Sequence, residues 1–373
     1  MIYADNAATT KLDIDAFEAM KPYLLDQYGN ASQPYTFART VKKALRRSRE
    51  IIASCINADL DEIYYTSGGT ESDNWAVKGT SLVYDNTHAV ITSQIEHHAI
   101  LNSCAAIERL GFPVVYLGVN KQGIVLPDTL AKHITSQTKL VSIMLANNEI
   151  GTIQPISRLS EISHKHGVLF HTDAVQAVGH IQVDVYKLGV DMLSASAHKF
   201  NGPKGIGFLY IRKGVSINPF HDGGAQESTM RAGTENVASI VGMAVALKKN
   251  CKSIGVIETR LRELETVLIT RLKQARLDFI RNGEDNHIPG NISLSFRGVE
   301  GEMLLHRLDL KGICVSTGAA CDNRNTQISH VLSAINAPEE YAIGTIRISL
   351  GRDNTEEDVI QISDALIDII KKH

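Results

Sequence analysis

Met192-Leu193-Ser194-Ala195-Ser196-Ala197-His198-Lys199-Phe200-Asn201-Gly202-Pro203-Lys204-Gly205 reads as a short strand that empties into a polar, glycine-rich turn. A lysine at the end of a buried strand can be desolvated and made nucleophilic, which a surface lysine is not. Lys204 competes for that role, but Pro203 and Gly205 place it in the following turn. Lys199 directly follows Ser196 and His198, two residues able to anchor a phosphate.

The same layout recurs upstream. Ile63-Tyr64-Tyr65-Thr66-Ser67-Gly68-Gly69-Thr70-Glu71-Ser72 runs from a strand through small residues into a helix, presenting free backbone N–H groups to an anion. It is not a Walker loop, because no Lys-Ser/Thr pair follows the glycines. Taken alone it is a weak signal, and a plain turn is the simpler reading. In Val168-Leu169-Phe170-His171-Thr172-Asp173-Ala174-Val175-Gln176 an apolar strand ends in an acid, at the edge where open α/β sheets bind ligands. Asp173 either holds a cationic ring nitrogen or caps the next turn.

Further short apolar runs, at 89–92, 114–117, 140–146 and 208–211, alternate with amphipathic stretches. This order predicts an α/β chain with a parallel or mixed sheet covered by helices on both faces. Val41, Leu45, Ile52 and Cys55 fall at helical spacing, and Ser157 is the expected cap of a helix carrying Ile162. After about residue 240 long helical stretches take over, followed by strands near 291–296, 313–315 and 345–349 and a last helix from Glu356. That region reads as a smaller α+β domain.

Composition narrows the function classes. Of 373 residues, 43% are hydrophobic and 21% charged, and 38 basic against 41 acidic residues leave a net charge of −3. Global disorder and general nucleic-acid binding are therefore not expected. No run approaches the roughly 18 apolar residues of a spanning helix, and Met1-Ile2-Tyr3-Ala4-Asp5 lacks a basic signal-peptide start, so the expectation is a soluble cytoplasmic protein without membrane association. Cys55, Cys104, Cys251, Cys314 and Cys321 are scattered and without a CxxC pair, which argues for free thiols. His164, His166 and His171 lack a carboxylate or cysteine at metal-site spacing and read as surface and strand histidines.

A phosphate cradle, an acid for a ring nitrogen and a strand-end lysine together are what pyridoxal 5'-phosphate requires. With these motifs in place, the chain resembles the cysteine desulfurases (NifS/IscS-like) of the class V aminotransferase family, fold-type I pyridoxal phosphate enzymes. The matching motifs run from Asp5-Asn6-Ala7-Ala8-Thr9-Thr10 to Arg347-Ile348-Ser349-Leu350-Gly351. The resemblance implies a large domain, residues 15–250, with a mixed, mostly parallel seven-stranded sheet. Residues 1–14 plus 251–373 would form a smaller α+β domain carrying an active-site cysteine loop.

The resemblance also assigns roles. Residues 66–74 look like the family's phosphate loop, with Gly69 and Thr70 as contacts and Ser196 and His198 assisting. Glu96-His97-His98-Ala99 makes His97 the histidine that stacks on the cofactor ring and exchanges protons, with His98 a bystander. In Asn147-Asn148-Glu149-Ile150-Gly151, Asn148 lies near the cofactor's phenolic oxygen and the substrate, and Gln176 hydrogen-bonds that oxygen. Lys199 carries the cofactor and Asp173 keeps its ring nitrogen protonated. Arg231-Ala232-Gly233-Thr234 looks like the segment that sends Thr234 to the partner's phosphate in a homodimer. Arg347 is the choice for the substrate carboxylate, because guanidinium offers a bidentate fork; an interdomain ion pair is its plainer role.

Cys321 decides the reaction. It sits in Val315-Ser316-Thr317-Gly318-Ala319-Ala320-Cys321-Asp322-Asn323-Arg324-Asn325-Thr326-Gln327, a small, polar stretch that reads as a mobile loop. The implied chemistry converts L-cysteine to L-alanine, with Cys321 taking the sulfur as a persulfide for an acceptor protein in iron–sulfur cluster, thiolated nucleic acid or related sulfur biosynthesis. Cys55 and Cys314 read as packed thiols, and Cys104 and Cys251 have no catalytic context. Alternatives are a selenocysteine or cysteine-sulfinate lyase or an aminotransferase of the same fold, for which Cys321 is dispensable, and a scaffold protein with a degenerate site. Two departures from the family's pattern are visible. Ala319-Ala320-Cys321 stands where Ser-Ala-Cys is common, which bears on the acceptor, and Tyr35 and Ala38 stand where a histidine and a glycine are usual, which bears on the substrate entrance.

Overall fold

Runs of β-branched and aromatic residues supply twelve strands among the described residues. They are β1 (Ile2–Tyr3), β2 (Ile63–Thr66), β3 (Ala89–Ser93), β4 (Val114–Leu117), β5 (Thr138–Ser142), β6 (Leu169–Asp173), β7 (Met192–Ser196), β8 (Gly207–Ile211), β9 (Phe279–Arg281), β10 (Asn291–Phe296), β11 (Ile313–Cys314) and β12 (Thr345–Ser349). The computed structural model describes residues 1–317 and 328–372.

Seven strands form one sheet in the order β2-β8-β7-β6-β5-β3-β4. β7, β6, β5, β3 and β4 are parallel neighbours, whereas β8 runs antiparallel between β7 and β2. The sheet is thus mixed and mostly parallel. β3, β7 and β8 are buried along their whole length, so helices cover both faces. Alternation assigns the faces: Val141, Leu193 and Phe208 enter one core, and Leu140, Met192 and Leu209 enter another built around Trp75, Ile100 and Ile107.

A separate core joins Ile2 and Ala4 to Leu294, Ile346, Ile362 and Leu366. Its strands are β9, β10 and β12, and β1 pairs in parallel with β11. The N-terminal strand therefore belongs with the C-terminal third of the chain. On this ground we propose the two-domain division at 15–250 and 1–14 plus 251–373. The helix Val237–Gln274, 38 residues long, serves both cores. Its first half buries Ile240, Met243 and Leu247 against the large sheet, and its second half buries Leu261, Leu264 and Leu268 against the smaller one.

Two local expectations are corrected. The apolar run at 140–146 is regular strand only through Ser142; Ile143 and Leu145 still donate to the His171 and Asp173 carbonyls of β6 before the chain reaches the Asn147 turn. Ser157 does not cap its helix. Ile156–Lys165 starts from Pro155 without a side-chain cap, and Ser157 lies in the first turn.

Asp13 ties three regions together. It caps the helix Ile14–Leu25 by accepting the Asp15 N–H at 2.8 Å, and its other oxygen pairs with Lys249 at 2.9 Å and with Arg352. Burial would raise this carboxyl, but the hydrogen bonds from Lys249 and Arg352 hold it down at about 2. A folded value below the unfolded one means that the stabilisation is present above the ordinary carboxylate pKa and is lost as pH falls through about 2. The side chain is 1% exposed, so the shift corresponds to about 2 kcal/mol. Asp13→Asn is therefore expected to lower stability by about that amount at neutral pH. The deficit relative to wild type should shrink between about pH 4 and 2, as read from denaturant midpoints across pH.

Candidate functional site

The carboxyl ends of β2, β6 and β7 open onto one cavity of about 490 Å³, a size suited to a small cofactor with substrate. Gly69, Thr70, His97, Asn148, Asp173 and Gln176 line it, together with Ser196, His198 and Lys199. Gly69 and Lys199, 130 positions apart, meet here because β8 inserts between β2 and β7. Lys204 also lines the cavity, from the turn after Pro203. Thr234 and Arg347 are not among the lining residues, and Cys321 lies outside the described residues.

The loop after β2 is shaped by glycines. Gly68 has φ +150°, and a Cβ on Gly207 would stand 2.8 Å from the Gly68 Cα, so β8 can pass close beneath the loop only without a side chain there. A Cβ on Gly69 would meet Val175 Cγ2 at 2.6 Å. From Gly69 the chain is helical through Asn74 and continues through a π turn, Trp75–Gly79. The first-turn N–H groups have no intrahelical acceptor and face the cavity's end. Glu71 braces the loop: it accepts the Ser67 N–H at 2.9 Å and pairs with Arg231 at 2.9 Å. Burial works against its charge, but Arg231 and Ser67 hold the carboxyl below its usual value.

Two buried acids form the floor. Asp173, at the end of β6, accepts the Val175 N–H at 2.9 Å, so it shapes its turn and faces the cavity at once. Burial pushes its carboxyl up to about 6, opposed by that N–H and by Lys199. Asp73 is fully enclosed; burial and then the Asp173 charge push it well above the usual range. Its Oδ1 has no hydrogen-bond partner among the described residues. His171 Nε2 stands 3.8 Å from that oxygen and bonds Ser194 Oγ at 2.9 Å, while Nδ1 bonds Ser142. Burial keeps His171 neutral, pushed down to about 3. The floor is thus rich in carboxyl groups, and a cationic ring nitrogen seated on Asp173 would relieve their mutual repulsion.

Lys199 sits on a 3-10 turn, Ala197–Lys199, at the end of β7. Its backbone is fixed by His180 Nε2, which donates to the Lys199 carbonyl at 2.8 Å, and by Thr10, which donates to the His198 carbonyl. The amine donates to the carbonyls of Ala7 at 2.6 Å and Ala8 at 2.9 Å. Gln176 Nε2 donates to the same Ala7 carbonyl at 3.0 Å. The N-terminal segment is therefore latched against the cavity by its two polar neighbours.

His97 caps the helix His98–Glu108, accepting the Ala99 N–H on Nδ1 at 3.1 Å. That contact assigns the ring proton to Nε2. Burial, then the charge of Lys199, pushes His97 down to about 4, so it stands neutral. His198 is also pushed down to about 4 by burial and Lys199, and its Nδ1 lies 3.1 Å from Thr9 Oγ1. Glu96 is turned inward, accepting from Ser93 and the Met144 N–H, and burial pushes it up to about 8.

Arg347 is engaged by the protein. Nη2 pairs with Asp5 at 2.8 Å and Nη1 donates to the Asn148 carbonyl at 2.9 Å, while the buried Nε has no partner among the described residues. Asn148 faces the cavity, and Asn147 is structural, holding the turn through the Ile95 carbonyl and the Glu149 N–H. Thr234 is exposed, three residues from the Arg231 that grips Glu71. Residues missed in the sequence are Asp73, His180 and the Glu71–Arg231 brace. Asp73 and Glu71 were legible only as members of the loop motif, and His180 carried no signal.

A strand-end lysine, an acid and a glycine-rich helix start around one cavity define a fold-type I transferase. The class-V aminotransferase profile matches residues 2–362, and the chain belongs to that family. The cysteine desulfurase IscS of Dictyoglomus turgidum is 50% identical over all of this chain and 95% of its own length. The protein of that name from Methanosarcina thermophila is 46% identical over all of this chain and 92% of its own length. Among solved structures, a NifS-like protein superposes with a TM-score of 0.94 at 36% identity, covering both chains completely. The structure described as SspA in complex with cysteine gives 0.84 at 34% identity, over 94% of this chain and 99% of that one.

Proposed function

We propose that the chain is a pyridoxal 5'-phosphate-dependent cysteine desulfurase that converts L-cysteine to L-alanine and passes the sulfur through a Cys321 persulfide. The observation that carries this reading is the single cavity in which Lys199, Asp173 and His97 meet the Gly68–Gly69–Thr70 loop. The pocket fits the cofactor: burial pushes the Asp173 carboxyl up, a position that a cationic ring nitrogen would suit, and the glycine at 69 leaves room at the helix start.

Bound there, pyridoxal phosphate supplies an electron sink for the bond broken at the substrate's Cα. Lys199 anchors it and holds the proton that moves between carbons. Asp173 keeps the ring nitrogen protonated, and Gly69, Thr70, Ser196 and His198 hold the phosphate. His97 packs on the ring and, with Nδ1 engaged by the Ala99 N–H, offers Nε2–H as a hydrogen-bond and proton donor to the reacting groups. Asn148 and Gln176 set the ring's phenolic side. Arg347, positioned by Asp5, receives the substrate carboxylate, with the unpartnered Nε as one available donor. Thr234 reaches the phosphate of a second copy in a homodimer, a role that suits its exposure outside its own chain's cavity. An acceptor protein takes the sulfur, serving iron–sulfur cluster or thiolated nucleic acid synthesis. No helix among the described residues is long and apolar enough to cross a membrane, and we place the enzyme in the cytoplasm.

Anaerobic incubation of the purified yellow protein with L-cysteine tests the reading, with alanine and protein persulfide quantified together. Both should form in step; alanine with free sulfide and no protein persulfide would instead indicate a lyase. A second check concerns the loop. Gly69→Ala places a methyl against Val175, and the crowding is expected to weaken cofactor affinity by about tenfold or more, measured by absorbance titration of the cofactor-free protein.

A further inference from the structure

Gly202-Pro203-Lys204-Gly205 joins the Lys199 turn to β8, and this connection is closed on a single residue. The Gly202 N–H donates to the Ala197 carbonyl at 2.8 Å, and the Ala197 N–H donates to the Ile206 carbonyl at 3.1 Å. Ala197 stands between Ser196 and His198. Asn201, at φ +62°, fixes the base of the turn, its backbone N–H donating to Thr10 Oγ1 at 2.8 Å and its Nδ2 to the Lys11 carbonyl at 2.9 Å. Strand register places the turn further. Gly207, where β8 begins, pairs with Thr66 on one side and Ser196 on the other, the last residues of β2 and β7. Lys204, three residues earlier, therefore rises at the sheet edge between the glycine loop and the Lys199 turn, and it lines the cavity there.

We propose that Lys204 is the counter-cation of the cofactor's phosphate, an inference that rests on the pyridoxal phosphate reading of the cavity. A phosphate monoester brings a charge of about −2 at neutral pH, and the cavity is already lined by Glu71, Asp73 and Asp173. The neighbouring cationic side chains are committed elsewhere. Arg231 grips Glu71 through Nε at 2.9 Å and Nη2 at 3.2 Å. Lys199 is taken up in holding the cofactor at its reactive carbon. His198, pushed down by burial, is neutral. The Lys204 side chain, by contrast, makes no ion pair or hydrogen bond among the described residues.

A lysine suits this place. Its ammonium acts on phosphate as a point charge, and its four-carbon stem lets the charge reach the cavity from an exposed turn. Lys204 on this account touches the phosphate alone: it recognises the phosphorylated form of the cofactor and handles no proton of the substrate. Because the turn is open to solvent, the attraction is screened as salt rises.

The test strips the full-length protein of cofactor and titrates it, by absorbance, with pyridoxal 5'-phosphate and separately with pyridoxal, which lacks the phosphate. Lys204→Gln should raise the Kd for pyridoxal 5'-phosphate about tenfold at low salt and leave that for pyridoxal within about twofold of wild type. Lys204→Arg, which keeps the charge, should recover most of the loss. Inorganic phosphate should compete with cofactor capture in the wild type and do so more weakly in Lys204→Gln. Equal affinity of Lys204→Gln and wild type for pyridoxal 5'-phosphate overturns the proposal. So does an equal loss for both ligands, which would mark a general disturbance of the pocket. A wild type that captures no cofactor at all would remove the desulfurase reading and this proposal together, whereas wild-type capture with an unchanged variant removes the proposal alone.

Discussion

Alanine formation from L-cysteine should fall by about 10²- to 10⁴-fold in Lys199→Ala, the range for removal of a positioned proton-transfer group. The structure explains why no neighbour compensates. Lys199 is delivered to the cavity by a tight turn whose backbone is held by His180 and Thr10, and its amine is held at the Ala7 and Ala8 carbonyls. Lys204 reaches the same cavity from a turn beside Gly205. Lys204→Ala is accordingly expected to lower the rate far less. Borohydride reduction followed by digestion should leave the cofactor mass on the peptide containing Lys199. Its recovery on the peptide of Lys204 would reverse the assignment.

The second large effect belongs to Cys321. In Cys321→Ala, protein persulfide should be absent and alanine formation should drop by at least about a thousandfold, as expected when the nucleophile of an interdependent set is removed, while the yellow cofactor absorbance persists. The other cysteines are placed where they cannot substitute. Cys104 is enclosed, its thiol pushed up to about 12 by burial. Cys314 belongs to the β1–β11 pair, and Cys55 and Cys251 pack against the large-sheet core. Equal alanine from the variant and the wild type would transfer the protein to the lyases of the same fold.

Much of this was legible in the residues because strand ends announce themselves. Each segment whose apolar run gave way to Gly, Ser, Asp or Lys, at Thr66, Asp173 and Ser196, ends a strand at the cavity. The antiparallel direction of β8 was not legible, since an apolar pentapeptide has no polarity of its own. The acid beside Asp173 was also hidden: Asp73 looks like one more polar residue of a helix start until the fold turns it inward. Arg347 shows the limit of residue chemistry most plainly. Its guanidinium suits a carboxylate, and both the ion pair to Asp5 and the buried Nε follow from β12 lying next to the N-terminal segment, a pairing between chain ends. Ser157 failed as a cap because Pro155 already sets the first turn.

The insertion of β8 between β2 and β7 has a temporal side. Ile63 pairs with Tyr210 and Thr66 with Gly207, so the strand leading into the glycine loop closes a chain segment of more than 140 residues. Long closures of this kind carry the largest entropic cost and are completed late, whereas neighbouring parallel units such as β5–β6 can assemble from shorter segments. During refolding from denaturant, far-ultraviolet helix signal should therefore recover before the chain gains the ability to capture cofactor, and the yellow colour becomes a clock for the last step of sheet assembly.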